Sequence, residues 1–241
     1  MSFDTTRWRL ILKTRDSDPN AAPSALEELC QIYWQPLYAY LRKSGQDPES
    51  ARDLTQGFFT QLLERHDLDK ADPERGRFRS FLLTALINYS RNQWARESAQ
   101  KRPARNGAIS IDVSAAEGGL REMLTDHTTP EQLFERQWAL ALLQSAVDAL
   151  REEFAHSGKS ERFEALSPYL TVDVKPASYE ELSDRLGISP GAVKVAVHRL
   201  KNRYGEIIRQ KVADTVNDPK EVDGEIAHLL TVFDQTPKRT V

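Results

Sequence analysis

The sequence has one cysteine, Cys30, and no long apolar run. A single cysteine excludes an internal disulfide and is typical of proteins in a reducing compartment. No stretch approaches the roughly 20 apolar residues that a membrane-spanning helix needs, and the N-terminal residues do not have the layout of a signal peptide. We therefore expect a cytoplasmic protein without a membrane partner.

The sequence also lacks the motifs that mark most catalytic and cofactor sites. It has no glycine-rich phosphate loop, no dinucleotide-binding fingerprint, no HExxH and no cysteine–histidine spacing that suits zinc. The histidines are scattered along the chain: His66, His127, His156, His198 and His228. Because no nucleophile, base and orienting acid come together in the sequence, we predict that the protein is not an enzyme and takes no cofactor or metal.

Charge is unevenly distributed along the 241 residues, although the formal net charge is only −3. Basic residues outnumber acidic ones eight to two over residues 74–105 and six to one over residues 194–211. Over residues 47–64, acidic residues outnumber basic ones four to one. Two basic segments and one acidic segment predict two nucleic-acid contacts and a separate surface for a protein partner.

Apolar residues recur at helical spacing through most of the chain, which predicts an all-α fold. The expected helices cover residues 3–15, 24–43, 48–65, 79–97 and 129–155, then a short helix within 159–170, a helical pair within 178–204 and a last helix after a break at 217–219. Residues 99–130 are polar, contain glycine and proline and have no helical period, as in a flexible linker.

This pattern predicts two small helical domains joined by a flexible linker. The first domain is expected over residues 1–98 and the second over residues 131–207, with the linker at residues 99–130 between them. Residues 208–241 are expected to form a helical C-terminal extension.

Residues 178–204 have the features of two helices joined by a tight turn. Ser178 and Glu181 have the spacing of a capping box, and Gly187 can end the first helix in the left-handed conformation. Ser189 can cap the second helix, with Pro190 at its first position. These signals predict a helix–turn–helix.

The second of these helices has one face of small, basic and amide side chains. Its members are Gly191, Lys194, His198, Arg199 and Asn202. Such a face fits the major groove of duplex DNA. The alternative is a surface hairpin whose basic face is simply solvated.

The predicted helix over residues 79–97 has a polar face that also carries an aromatic ring. The face contains Asn88, Arg91, Asn92, Gln93, Trp94 and Arg96. Amide and guanidinium groups beside a ring suit single-stranded or partly opened nucleic acid, because bases stack on the ring. The alternative is a solvated helix with a half-buried tryptophan.

Three blocks in this order carry a family resemblance. They are DPESARDLTQGFFTQLLER, then FRSFLLTALINYSRNQWARESAQKR, and after the linker SYEELSDRLGISPGAVKVAVHRLKNR. Over residues 24–100 and 135–205 the chain resembles the RNA polymerase sigma factors of the extracytoplasmic-function (ECF) subfamily of the sigma-70 family. The resemblance implies a region-two domain followed by a region-four domain, which together direct promoter recognition and melting.

The resemblance also implies partners, namely core RNA polymerase and promoter DNA. The acidic helix would dock on the clamp helices of the largest polymerase subunit through Glu49, Arg52, Asp53, Gln56 and Gln61. The loop over residues 67–78 and the helix after it would hold the melted minus-ten strand through Arg77, Arg79, Asn88, Arg91, Asn92, Trp94 and Arg96. The last helix of the pair would read the minus-thirty-five duplex through Ser189, Gly191, Lys194, Val195, His198, Arg199, Asn202 and Arg203.

Some segments exceed the usual pattern of that family, namely residues 3–15, residues 154–171 and the tail beyond residue 205. Control of activity is left open between an anti-sigma factor and self-inhibition by the C-terminal extension. The main alternative function is a helix–turn–helix transcription regulator derived from a sigma factor but without polymerase binding. An RNA-binding or hydrolytic helical protein is a third class.

Overall fold

The computed structural model describes residues 21–64, 77–99, 117, 120, 121, 123–171, 176–216 and 218–234. All regular secondary structure within these ranges is helical. The predicted all-α fold class is therefore confirmed. The expected helix over residues 3–15, most of the loop over 67–78, the linker residues 100–116 and the side chain of Arg96 lie outside the described residues.

The α-helices agree with the sequence periodicity to within a few residues at each end. They are α1 (Ala21–Lys43), α2 (Pro48–Glu64), α3 (Phe78–Ala99), α4 (Pro130–His156), α5 (Ser160–Leu166), α6 (Tyr179–Leu186), α7 (Pro190–Ala213) and α8 (Val222–Asp234). Short 3₁₀ turns follow α5 at Ser167–Leu170 and precede α8 at Pro219–Glu221. The expected break before the last helix thus coincides with the second 3₁₀ turn.

The chain forms two compact units, which we call unit 1 and unit 2. Unit 1 contains residues 1–141 and 212–241, and unit 2 contains residues 142–211. These ranges differ from the predicted domains, because the first turns of α4 and the C-terminal residues group with the N-terminal helices. The sequence-based domain boundaries stay predictions.

In unit 1, α1 packs on α2 and α2 packs on α3. Aromatic rings connect the helices: Tyr33 meets Phe78 edge-on with centroids 5.6 Å apart, and Phe58 meets Tyr89 at 5.9 Å. All four of these rings are buried. Large rings in edge-to-face pairs remove much apolar area from water and add a geometric preference, so they fix the position of α3 within unit 1.

Gly57 in α2 is explained by the close approach of Tyr89 from α3. A methyl group built on Gly57 would overlap the hydroxyl of Tyr89. Glycine within a helix costs about 1 kcal/mol relative to alanine, and the close contact with Tyr89 accounts for that cost. The neighbour is a side chain from α3.

Part of the predicted linker is bonded to α1. Glu117 accepts hydrogen bonds of 2.6 Å from both Tyr38 and the Nε of Arg42. The Nζ of Lys43 donates to the carbonyl oxygens of Met123 and Asp126 at 2.9 and 2.8 Å. The hydrogen bonds from Arg42 hold the pKa of Glu117 below its ordinary value. The second half of the expected linker is therefore attached to unit 1.

Unit 2 is organised around a core that draws on four helices. Leu150, Phe163, Leu182 and Val197, which come from α4, α5, α6 and α7, are buried together in it. The segment that the family resemblance leaves unexplained, residues 154–171, includes α5 and supplies Phe163 to this core. The extra segment thus completes the apolar support beneath α7.

The capping interactions predicted around α6 and α7 all form. Glu181 N–H donates to Ser178 Oγ at 3.2 Å, and Ser178 N–H donates to the Glu181 carboxylate at 2.8 Å. Gly187 has a φ of 62°, in the left-handed region. Ala192 N–H donates to Ser189 Oγ at 3.3 Å at the start of α7. Local sequence rules therefore determine both ends of the turn.

The Gly57–Tyr89 contact predicts how a methyl group added at position 57 changes stability. The effect should depend on whether residue 89 has its hydroxyl. Gly57→Ala should lower the free energy of unfolding by about 1–3 kcal/mol through overpacking. In a Tyr89→Phe background the hydroxyl is gone, so the same change should be neutral or gain up to about 1 kcal/mol of helix propensity.

Urea unfolding followed by circular dichroism measures both effects. Gly205→Ala serves as the matched control, because a methyl group there meets nothing within 4 Å. An equal loss from Gly57→Ala in both backgrounds would contradict the assigned role of the hydroxyl.

Candidate nucleic-acid interface

The outer face of α7 carries the side chains predicted to contact duplex DNA. Val193, Val197 and Leu200 are buried on its opposite face. The predicted residues are all exposed: Ser189, Gly191, Lys194, Val195, His198, Arg199, Asn202 and Arg203. The apolar Val195 is 49% exposed, so α7 offers a large apolar side chain among polar and basic ones.

Arg203 differs from the other predicted contacts because carboxylates already hold it. Its Nε and Nη2 donate to Glu153 at 2.9 and 2.6 Å, and its Nη1 donates to Glu206 at 2.8 Å. The bonds from Arg203 lower the pKa of Glu153, and the two carboxylates raise the pKa of Arg203. These bonds join α7 to α4 within unit 2, and a phosphate would have to compete with both carboxylates; the contact of Arg203 with DNA stays a prediction.

The exposed side of α3 forms a continuous row, which we call the polar stripe. Its members are Arg77, Thr84, Asn88, Arg91 and Asn92, all exposed. Steps of seven, four and three residues lead from Arg77 to Arg91, and Asn92 lies four residues after Asn88. This spacing keeps them on one face of a helix with 3.6 residues per turn, over about 22 Å. Trp94 lies beside this row and is 45% exposed. Four of the predicted melted-strand residues therefore share one surface, with an aromatic ring at its side.

Arg77 starts this row and is fixed to α3 by its backbone. Its carbonyl oxygen accepts hydrogen bonds from Ser80 and Phe81 at 3.0 and 3.2 Å. Its Nε lies 3.0 Å from Oε2 of Glu225, and 44% of its side chain stays exposed.

Arg79 is not available for a nucleic acid, so its assignment to the melted strand is wrong. Its side chain is 2% exposed. Its Nε bonds both oxygens of Glu135 at 2.9 and 2.8 Å, and its Nη1 bonds Glu225. The guanidinium lies 4.2 Å from the ring centre of Trp138. Burial lowers the pKa of Arg79, while Glu135 opposes that effect.

Sequence reasoning missed the partners of Arg79, although the pattern contained a signal. Arg79 precedes the buried Leu82 by three residues and Leu86 by seven, which places it on the inward face of α3. Glu225 stands in the same way between the buried Val222 and Leu229 of α8. A charged residue within an apolar helical stripe indicates a buried pair, because an unpaired buried charge is too costly.

The predicted polymerase-binding residues lie mostly on one face of α2. Glu49, Arg52, Asp53 and Gln56 follow helical spacing, and the first three are exposed. The Nη2 of Arg52 is 3.3 Å from Oδ1 of Asp53, so part of the acidic charge is balanced locally. Gln61 lies about a third of a turn away from this face and therefore does not belong to it.

Within the part of the chain that the structure describes, no group of three or more histidine, cysteine, aspartate or glutamate side chains is arranged to hold a metal ion. No helix among the described residues has the length and apolar character needed to cross a membrane.

Comparison with known proteins connects the N-terminal helices to one family. Residues 24–100 match the family model of Sigma-70 region 2, which covers most of α1, all of α2 and α3, and less than half of the chain. No curated protein and no solved structure matches the chain. The match supports a sigma factor of the sigma-70 type and indicates a role in transcription initiation. Region 2 in that family binds core RNA polymerase and promoter DNA and is not enzymatic.

A buried and an exposed arginine of α3, Arg79 and Arg91, should respond differently to truncation. Arg79→Ala removes the buried partner of Glu135 and Glu225, so the free energy of unfolding should fall by about 3–5 kcal/mol. Arg91→Ala removes an exposed side chain of the same type and should change it by no more than about 0.5 kcal/mol. Urea denaturation of the two variants measures the difference. Equal stability of both would mean that the buried ion pairs contribute nothing to unit 1.

Proposed function

We propose that this chain is an ECF-type sigma factor, which binds core RNA polymerase and directs promoter recognition and melting in the cytoplasm. The observation that carries the proposal is the Sigma-70 region 2 match over α1–α3, together with the polar stripe and Trp94 on the outer side of α3. The chain would supply binding surfaces, and the polymerase would supply the catalysis.

The outer face of α2 is the proposed contact with the clamp helices of the largest polymerase subunit. Asp53 is 62% exposed, and Glu49 extends the acidic character toward the start of the helix. Asp47 caps α2 through the N–H groups of Glu49 and Ser50, both at 3.0 Å. A well-anchored first turn presents these carboxylates on a rigid support, and charge complementarity then favours a basic partner.

The polar stripe is the proposed contact with the melted minus-ten strand. Extruding a base from a duplex costs a few kcal/mol of unstacking and unpairing. Stacking on an aromatic ring recovers about 1–3 kcal/mol per base, and Trp94 offers such a ring at 45% exposure. Arg77 and Arg91 supply positive charge for the backbone phosphates. Arg96 belongs to this proposal through its position in the sequence.

The outer face of α7 is the proposed contact with the minus-thirty-five duplex. Lys194 and Arg199 can donate to phosphates or base edges, and Asn202 can pair with an adenine edge. The exposed methyl groups of Val195 suit the C5-methyl of thymine. At the N-terminal end of α7, Gly191 leaves space because it has no side chain, and Ser189 supplies a hydroxyl. This end is where this type of helix approaches the bases.

The interface on α2 distinguishes a sigma factor from a regulator without polymerase binding. Asp53→Arg or Gln56→Arg should weaken association with core RNA polymerase at least about tenfold, because like charges then face each other. Pull-down titrations with purified core enzyme measure the affinity. Glu161→Arg, an equivalent charge reversal on the exposed side of α5, should leave association unchanged. If the α2 variants also bind normally, the regulator becomes the better function.

The α7 face should produce a salt-dependent affinity for duplex DNA. Lys194→Ala combined with Arg199→Ala should weaken binding and reduce the slope of log K against log salt by about 1–2, because each phosphate contact contributes about 0.9 to the slope. Lys159→Ala combined with Lys220→Ala removes the same charge elsewhere and should leave the slope unchanged. Fluorescence anisotropy over a salt series measures both. A slope that is unchanged in the α7 variant would mean that this face is merely solvated.

A further inference from the structure

One carboxylate of the C-terminal helix connects two arginines at the start of α3. Glu225 of α8 bonds Nη1 of Arg79 through Oε1 and lies 3.0 Å from Nε of Arg77 through Oε2. The side chain of Glu225 is 1% exposed. It thus spans from the interior of unit 1 to the surface on which the polar stripe begins.

The guanidinium groups of the two arginines differ in their accessibility to a ligand. Arg79 is buried, and its guanidinium is held by Glu135, Glu225 and the Trp138 ring. Arg77 keeps 44% of its side chain exposed, and the approach of its guanidinium to Glu225 is 3.0 Å at Nε. The terminal pair of a guanidinium is the fork that matches two oxygens of a phosphate.

We propose that Glu225 is a positioning residue, which holds Arg77 so that its terminal nitrogens bind a backbone phosphate of the melted strand. The inference rests on the proposed function and deepens it, since it gives the C-terminal extension a part in strand binding. An arginine that is already ordered loses less rotamer freedom when it binds, so a fixed Arg77 binds a phosphate more tightly than a mobile one.

The alternative interpretation of this contact is that Glu225 and the phosphate compete for Arg77. A competitor must leave its site when the nucleic acid arrives. Glu225 has almost no exposed area, and its helix is anchored by the buried Val222 and Leu229. Displacing Glu225 would also remove one of the two carboxylates that pair with the buried Arg79. We therefore expect the contact between Glu225 and Arg77 to remain when the terminal nitrogens of Arg77 bind a ligand.

Binding of the full-length chain to a fluorescent oligothymidylate tests the proposal, because this probe has phosphates and stackable bases but cannot form a self-paired duplex. Glu225→Gln keeps the side-chain shape and should weaken binding about threefold to tenfold. Arg77→Gln should weaken it by a similar factor. In the double variant the loss should be no larger than in Arg77→Gln alone, because Glu225 acts through Arg77. Glu221→Gln, an exposed charge-matched control near the start of α8, should not weaken binding.

Three results would overturn the proposal. Tighter binding by Glu225→Gln would mean that the carboxylate competes with phosphate. An equal additional loss from Glu225→Gln in the Arg77→Gln background would mean that it only supports the fold. A wild-type chain that does not bind oligothymidylate at all would remove the proposed melted-strand contact, and the inference with it. The first two results leave the proposed function intact.

A variant of Arg77 itself covers the case in which Glu225→Gln does not fold. Arg77→Lys keeps the charge, but a lysine ammonium lacks both Nε and the terminal fork. It should lose nearly as much affinity as Arg77→Gln if the position of the fork matters. Affinity equal to that of the wild type would show that charge alone is sufficient, and the positioning role would be wrong.

Discussion

The buried guanidinium of Arg79 is the interaction on which unit 1 depends. It lies between the carboxylates of Glu135 and Glu225 and over the ring of Trp138, so one side chain from α3 bonds α4 and α8. Charges of this kind are costly to bury unless they are paired, and Glu135 and Glu225 supply the pairing at Nε and Nη1 of Arg79. Helix α8 is therefore a structural part of unit 1, because its Glu225 is paired with Arg79 of α3.

This arrangement explains how neighbouring residues acquire different roles. Arg77 and Arg79 are two positions apart, so they face opposite sides of α3. Arg79 organises the interior, while Arg77 begins an exposed row that continues through Asn88 and Arg91. The same helix thus carries the packing of unit 1 on one side and a surface suited to nucleic acid on the other. A rigid interior keeps that surface in a defined shape.

In unit 2, the turn between α6 and α7 is specified almost entirely by local interactions. The capping box of Ser178 and Glu181, the left-handed Gly187 and the Ser189 cap each involve residues within three or four positions of one another. Their spacing can be recognised in sequence without knowing the fold. Long-range hydrogen bonds then join α7 to α4, from Arg203 to Glu153, 50 residues away, and from Tyr204 to the carbonyl oxygen of Leu143. Arg203 thus links α7 to α4, whatever its part in DNA binding.

The sequence alone determined the helices, the caps and the exposed faces of α2, α3 and α7, since these depend on periodicity and on short-range hydrogen bonds. Tertiary structure alone decided which charged residues are buried and which carboxylates they pair with. A count of basic residues treats Arg77, Arg79 and Arg203 alike, whereas their partners Glu225, Glu135 and Glu153 come from distant positions in the chain. Glu117 likewise attaches the second half of the expected linker to Tyr38 and Arg42. The physical reason is that the free energy of a charge depends on burial and on its neighbours, and both are known only once the chain is folded.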